Sequence, residues 1–160
     1  MNDAQTNYIK QVQSPLLFSV VMWLRLPSVA FWGATVPCLH SKECIVEMKH
    51  NFRNKNPFRS VYFGALAGGA ELSTGLLCRL HVKGIGDCSM LVVKMEGSFH
   101  KKATGRLRFV CDEGEIVARK LSELKESGDT AECDMTSKIY NDNDDLVADF
   151  KFRWSFKKRN

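Results

Sequence analysis

A chain of 160 residues has room for one well-cored domain and not for two. With 44% hydrophobic and 26% charged residues its composition is that of an ordinary globular protein. The net charge of +5 suits an anionic ligand or surface but is too small an excess to argue for nucleic acid.

The first pronounced feature is the apolar run Pro15 to Leu24. Only Lys10 stands against Asp3 before it, Arg25-Leu-Pro27 follows in place of a small-residue cleavage site, and Arg25 would be costly inside a bilayer. The run is read as a helix packed on the domain, with Ser14 as N-cap and Pro15 in the first turn, within a helical extension over residues 1–30. Attachment of this helix to a membrane surface is the second reading, and membrane contact is not expected. The six cysteines show no CxxC pair, so they are read as reduced core residues of a cytoplasmic protein; a zinc or disulfide framework is the minor alternative.

Strands are expected over 33–40 and 45–50, joined by the polar turn at Ser41, then a polar loop from Asn51 to Arg59 with Ser60 as N-cap of a central helix over 60–77. From Val61 to Cys78 that helix has one charge, Glu71, no proline, and apolar residues on every side, the pattern of a helix buried all round. At about 100° per residue, Gly64, Gly68, Glu71 and Gly75 share one stripe. A carboxylate in a glycine-lined groove is an active-site candidate. On the residues alone the more common reading of such a group is a buried acid satisfied by Ser73, a backbone N–H or an arginine of a second chain.

Further strands are expected over 88–95, 106–111, 130–139 and 150–156, with a helix over 115–127 ended by Gly128 and a turn from Asn141 to Asp145. A buried helix between hairpin-linked strands implies an α+β domain in which an antiparallel sheet wraps the helix. One short sheet cannot enclose such a helix, so a dimer is expected. The acidic turn lacks the glycine and terminal glutamate of a calcium loop, and the four histidines show no ligand spacing, so no metal is expected. Lys101, Lys102, Arg106 and Arg108 form a basic cluster, either a solvated strand edge or a contact for anionic groups. Nucleic-acid binding is not expected, because Phe150 to Phe156 read as inward-facing.

The segment Asn56-Pro-Phe-Arg-Ser-Val-Tyr-Phe-Gly-Ala-Leu-Ala-Gly-Gly-Ala-Glu71 resembles the signature of hot-dog-fold thioesterases of the phenylacetyl-CoA type, where an asparagine, a short loop and His-Gly-Gly precede a helix carrying an acid. The chain from Pro15 to Lys158 also resembles an uncharacterised hot-dog family with an R-x-x-N-P-x-x-S-x-Y-F-G-A-L-A-like segment and a later F-x-K-x-A-x-G-like one, here Phe99-His-Lys-Lys-Ala-Thr-Gly105. The resemblance implies a single hot-dog domain over 1–160, forming a homodimer or a dimer of dimers. The implied activity is an acyl-CoA thioesterase working in a groove between subunits, with coenzyme A only as part of the substrate and no other cofactor. By position, Asn56 would orient the thioester or the water, the Gly64 N–H would polarise the carbonyl, and Glu71 would act as base or nucleophile. Ser60, Tyr62, Phe63 and Gly68 would border the substrate, with Lys101 and Lys102 on the coenzyme. Asn56 could instead merely build the turn before Pro57. Two departures stand out: Tyr62-Phe63 replaces the usual His-Gly pair, and a glutamate replaces the usual aspartate. A non-catalytic acyl-binding or structural hot-dog dimer is the alternative.

Overall fold

Three short helices open the chain in the computed structural model, which describes residues 1–159; Asn160, the last residue of the expected domain span, lies outside the described residues. They are α1 (Asp3–Gln13), α2 (Pro15–Arg25) and α3 (Pro27–Trp32), where the sequence suggested one helix from Pro15. Prolines at the first turns of α2 and α3 set both breaks, since a proline ring cannot continue the preceding helix but fits a helix start. Ser14 makes no side-chain capping bond. Helix α1, inside the expected helical extension but not set apart there as its own helix, carries a capping box, Asn2 Oδ1 accepting from the Gln5 N–H while Gln5 Oε1 accepts from the Asn2 N–H.

The remaining elements are β1 (Thr35–Leu39), β2 (Cys44–Lys49), α4 (Phe63–Ile85), β3 (Cys88–Phe99), β4 (Arg106–Cys111), α5 (Gly114–Leu121), β5 (Thr130–Tyr140) and β6 (Leu146–Lys158). The six strands form one antiparallel sheet in the order β1-β2-β4-β5-β6-β3, curled around α4 in the hot-dog arrangement. The alternation of β6 is what drives the wrap. Phe150, Phe152, Trp154 and Phe156 are all buried against the helix side. They meet Phe109, Met135 and Ile139 from the neighbouring strands and Leu77 and Leu80 from α4 in a single core. All six cysteines are unpaired, and five of them are buried.

The central helix starts at Phe63 and runs to Ile85, later and longer than the expected 60–77. Arg79, His81 and Lys83 leave the all-apolar pattern on the side turned away from the core, Arg79 and Lys83 being exposed while Leu80 and Val82 between them stay buried. Gly86, at φ +96, lets the chain reverse into β3. In α5 the start is fixed by Gly114, whose N–H donates to Lys42 O at 2.9 Å and whose Cα lies too close to the Ser41–Lys42 backbone for any side chain. The helix ends at Leu121, shorter than the expected 115–127. The edge strand β3 extends to Phe99, four residues beyond the expected end at Met95.

A candidate active site at the start of the central helix

The chain reaches α4 through a loop that Asn56 holds closed. Its Oδ1 accepts from the backbone N–H of Phe58 at 2.9 Å and of Ser60 at 3.2 Å, while its Nδ2 donates to Ser60 Oγ at 3.1 Å and Val61 O at 3.4 Å. The Asn56 N–H also donates to Ser60 O at 2.8 Å. This is the self-bonded turn that asparagine favours, and it holds Arg59 at φ +61, a conformation non-glycine residues rarely adopt. The carboxamide is therefore committed within its loop. Ser60 is drawn into the same network and does not cap the helix; the N-cap is Tyr62, with no side-chain capping bond.

Two hydrogen bonds dock this loop. Tyr62 N–H donates to Asn54 O at 2.7 Å, and Val61 N–H donates to Ala103 O at 2.9 Å. The second joins the two separated sequence motifs, because Ala103 lies in Phe99–Gly105. Between them opens a cleft of ≈ 440 Å³ lined by Asn56, Ser60, Tyr62, Phe63, Lys101 and Lys102, all anticipated from sequence, and by Phe58, Leu66 and Phe99. Lys101 is held at 2.6 Å by Asp145, whose carboxyl is kept below its usual range by that lysine and by Asn141. Lys102 has no acidic partner within 4.0 Å among the described residues.

At the helix mouth the N–H groups of Phe63 and Gly64 find no acceptor among the described residues, since the first helical bonds to Tyr62 O come from Ala65 at 2.9 Å and Leu66 at 3.1 Å. Free donors at the positive end of a helix are suited to a developing oxyanion. The Tyr62 ring lies over Gly64, where it fills the space a side chain would take, and meets the Phe63 ring in a tilted contact with centroids 4.7 Å apart.

Glu71, Gly64 and Gly68 are not among the residues lining the cleft. Glu71 lies seven residues along α4 from Gly64, about 10 Å at the rise of an α-helix. Gly68, one turn from each, is filled: a methyl group there would lie 2.6 Å from the Trp32 ring, so packing against α3 occupies the place expected for substrate. Gly75 likewise faces Trp154, whose Nε1 donates to Thr74 Oγ1 at 3.1 Å. Ser73 does not satisfy Glu71, because its hydroxyl donates to Ala70 O at 2.9 Å and pairs with Ser137 at 2.8 Å. The half-buried Glu71 carboxylate makes no hydrogen bond or ion pair among the described residues, and burial raises its pKa above the ordinary glutamate value. The flanking Trp32 and Trp154 are the site-shaping residues that sequence reasoning missed.

Away from this region, the ligand atoms of Cys38, His40 and Glu43 lie within 4.8 Å of one another at the β1–β2 turn. His40 Nδ1 accepts the Lys42 N–H at 3.2 Å, which leaves the ring proton on Nε2 beside Glu43, and burial with the Glu43 carboxylate pushes the Cys38 thiol up. The trio is tied together as a hydrogen-bonded turn.

Among curated proteins no match to the chain is found. Solved structures share the fold over nearly the whole length. A protein of unknown function from Chlorobaculum tepidum is 18% identical, covering 92% of this chain and 99% of that one with a TM-score of 0.76. A thioesterase from Haemophilus influenzae is 10% identical over 91% of each chain with a TM-score of 0.69. The Escherichia coli PaaI protein from the phenylacetic acid degradation operon is 12% identical, with coverages of 94% and 96% and a TM-score of 0.63. At these identities the likeness is one of fold. No helix is long and apolar enough to cross a membrane among the described residues. A family model matches residues 15–156, and the chain belongs to that family, described as a domain of unknown function (DUF4442), with a hot-dog fold.

Proposed function

We propose that the protein hydrolyses an acyl thioester of the coenzyme A class at a site completed by a second copy of the chain. The observation that carries this reading is Glu71, a half-buried carboxylate with a raised pKa and no partner, on the helix whose first N–H groups stand free. An acid left without a partner in a structural role would be costly, whereas a general base needs that freedom. The relatives named for thioesterase activity and for the phenylacetic acid operon support the reaction class.

The spacing supports a composite site. Gly64 and Glu71 of one chain stand about 10 Å apart along the axis with Trp32 packed between them. A carbonyl within hydrogen-bond reach of the first leaves its attacking water out of reach of the second. A second copy resolves this. The free edge β3 exposes Leu91, Val93, Met95 and Phe99, an uncovered apolar edge of the kind that pairs with another strand. Trp154, beside Glu71, pairs across to Val92 of that strand, so Glu71 lies one strand in from the edge a second copy would join.

In the proposed reaction the Gly64 N–H of one copy polarises the thioester carbonyl, and Glu71 of the other takes a proton from water. The resulting hydroxide attacks the carbonyl carbon, the C–S bond breaks, and the thiolate takes up a proton, leaving a carboxylic acid and a free thiol. Phe58, Phe63, Leu66 and Phe99 offer apolar walls to the acyl group, and Lys102 a cation to the coenzyme. The test is thiol release from a panel of acyl-CoA esters by native protein and Glu71→Gln. A second reading, acyl-CoA binding without hydrolysis, is favoured by the Tyr62 ring over Gly64 and the committed Asn56 carboxamide. Ligand binding with no thiol released by native protein would establish it.

A further inference from the structure

The N-terminal helices present their apolar residues outward. On α2, Phe18 is buried, but Leu16, Leu17, Val20, Trp23 and Leu24 are 74%, 53%, 50%, 53% and 80% exposed, and Phe31 of α3 is 45% exposed. At about 100° per residue the five α2 side chains share an arc roughly 120° wide. Ordinary surface helices bury that face and keep charges outside. Here the outer face has no charge, and the expectation of a helix packed on the domain holds only for its inner side.

The charges around this face are of one sign. No acid occurs between Asp3 and Glu43, while Lys10 and Arg25 lie within that span. Behind α2, a groove of ≈ 330 Å³ between α1, α2 and α4 has an apolar floor including Phe18 and Leu76 and carries the exposed cations Arg25, Arg79 and Lys83. None of these four cations has an acidic partner within 4.0 Å among the described residues.

We propose that the outer face of α2, with Phe31, docks the protein on an anionic lipid bilayer, the uncompensated positive charge of Lys10 and Arg25 drawing this end of the molecule to anionic headgroups. At 11 residues α2 is about 16 Å long, too short to cross a bilayer, so it lies in the interface with its apolar side down. Trp23 belongs at that depth, its ring among acyl carbons and its N–H at the headgroups. A second copy of the chain is the less suitable occupant. A second copy would set two positively charged N-terminal segments, each without an acid between Asp3 and Glu43, beside one another. Moreover α2 packs on β1, the opposite edge of the sheet from β3, so a dimer through β3 leaves this face open.

The experiment is sedimentation of the full chain with phosphatidylcholine vesicles, with and without added phosphatidylglycerol, for native protein, Trp23→Ser/Leu24→Ser and Arg25→Gln. Native protein is expected to bind the anionic vesicles preferentially and less at high salt, with a blue shift of Trp23 emission. The double variant should bind about tenfold or more weakly with an unchanged thermal midpoint, because both side chains are exposed. Arg25→Gln should weaken binding to anionic vesicles alone. No binding to either vesicle, binding undiminished in the double variant, or loss of self-association in that variant without vesicle binding would each overturn the proposal. The result is independent of whether any thioester is hydrolysed.

Discussion

The Trp32 ring packs on Gly68, one helical turn from the free Gly64 N–H and one turn from Glu71. The N-terminal extension thereby roofs the glycine stripe at its middle and divides the helix mouth from the acid. Replacing Gly68 with Ala adds a methyl group 2.6 Å from the ring. The gain in helix propensity, about 1 kcal/mol, is outweighed by overpacking of about 1–3 kcal/mol. The expected outcome is a net loss of about 1 kcal/mol in denaturant unfolding, with altered tryptophan emission. A stabilised Gly68→Ala variant would mean that the ring does not sit there.

Burial raises the pKa of Glu71 in the folded protein above its unfolded value. The folded state therefore holds this proton more tightly, and the associated stability is complete below the unfolded value and lost as pH rises through the folded one. Glu71→Gln removes that loss. The variant should be more stable than native protein at neutral pH, with the difference closing as pH falls below the ordinary glutamate range. Thermal midpoints across pH read this directly. A variant less stable at neutral pH would show that the carboxylate has a partner.

Asn56→Ala strips several hydrogen bonds from one loop and leaves Arg59 unsupported at positive φ. A loss of about 1–3 kcal/mol is expected, with faster proteolysis near residue 59. Ser60→Ala, which keeps the backbone bonds to Asn56 Oδ1, should cost less. Native stability in Asn56→Ala would remove the loop-closing role.

The free edge β3 is expected to join two copies. Met95→Lys places a charge on that edge, where the side chain is 50% exposed. Sedimentation equilibrium should show a dimer for native protein and a monomer for the variant, with α-helical and β-sheet signals unchanged. A native monomer, or a variant of unchanged mass, would reject pairing through β3.

Much of the fold is legible in the amino-acid order because burial is one-sided there. In β6, Phe150 to Phe156 alternate with Lys151, Arg153 and Ser155, and the structure buries that aromatic face. The last residues of β3 escaped because an edge strand exposed on both faces has no alternation to read. The bounds of α1 within the expected helical extension are hard to read because only Val12 is fully buried in it, although Asn2 and Gln5 form a recognisable capping box. Ser60 was a reasonable cap by type, but Asn56 takes its hydroxyl, a competition between neighbours that residue type alone does not settle. In the site, the cleft of Asn56, Ser60, Tyr62, Phe63, Lys101 and Lys102 follows from two motifs that pair through Val61 and Ala103. The filling of Gly68 by Trp32 depends on how the N-terminal helices dock, and no local pattern encodes that.

The central claim is that Glu71 serves as the base in thioester hydrolysis, and thiol release from acyl-CoA esters of graded chain length, native against Glu71→Gln, tests it most directly. Native protein should release thiol above the spontaneous rate for at least one ester, rising with pH through the raised Glu71 pKa, and the variant should be slower by about 10²–10⁴-fold while still binding the ester. Turnover retained in Glu71→Gln, or none above background in native protein for any ester, would contradict the account.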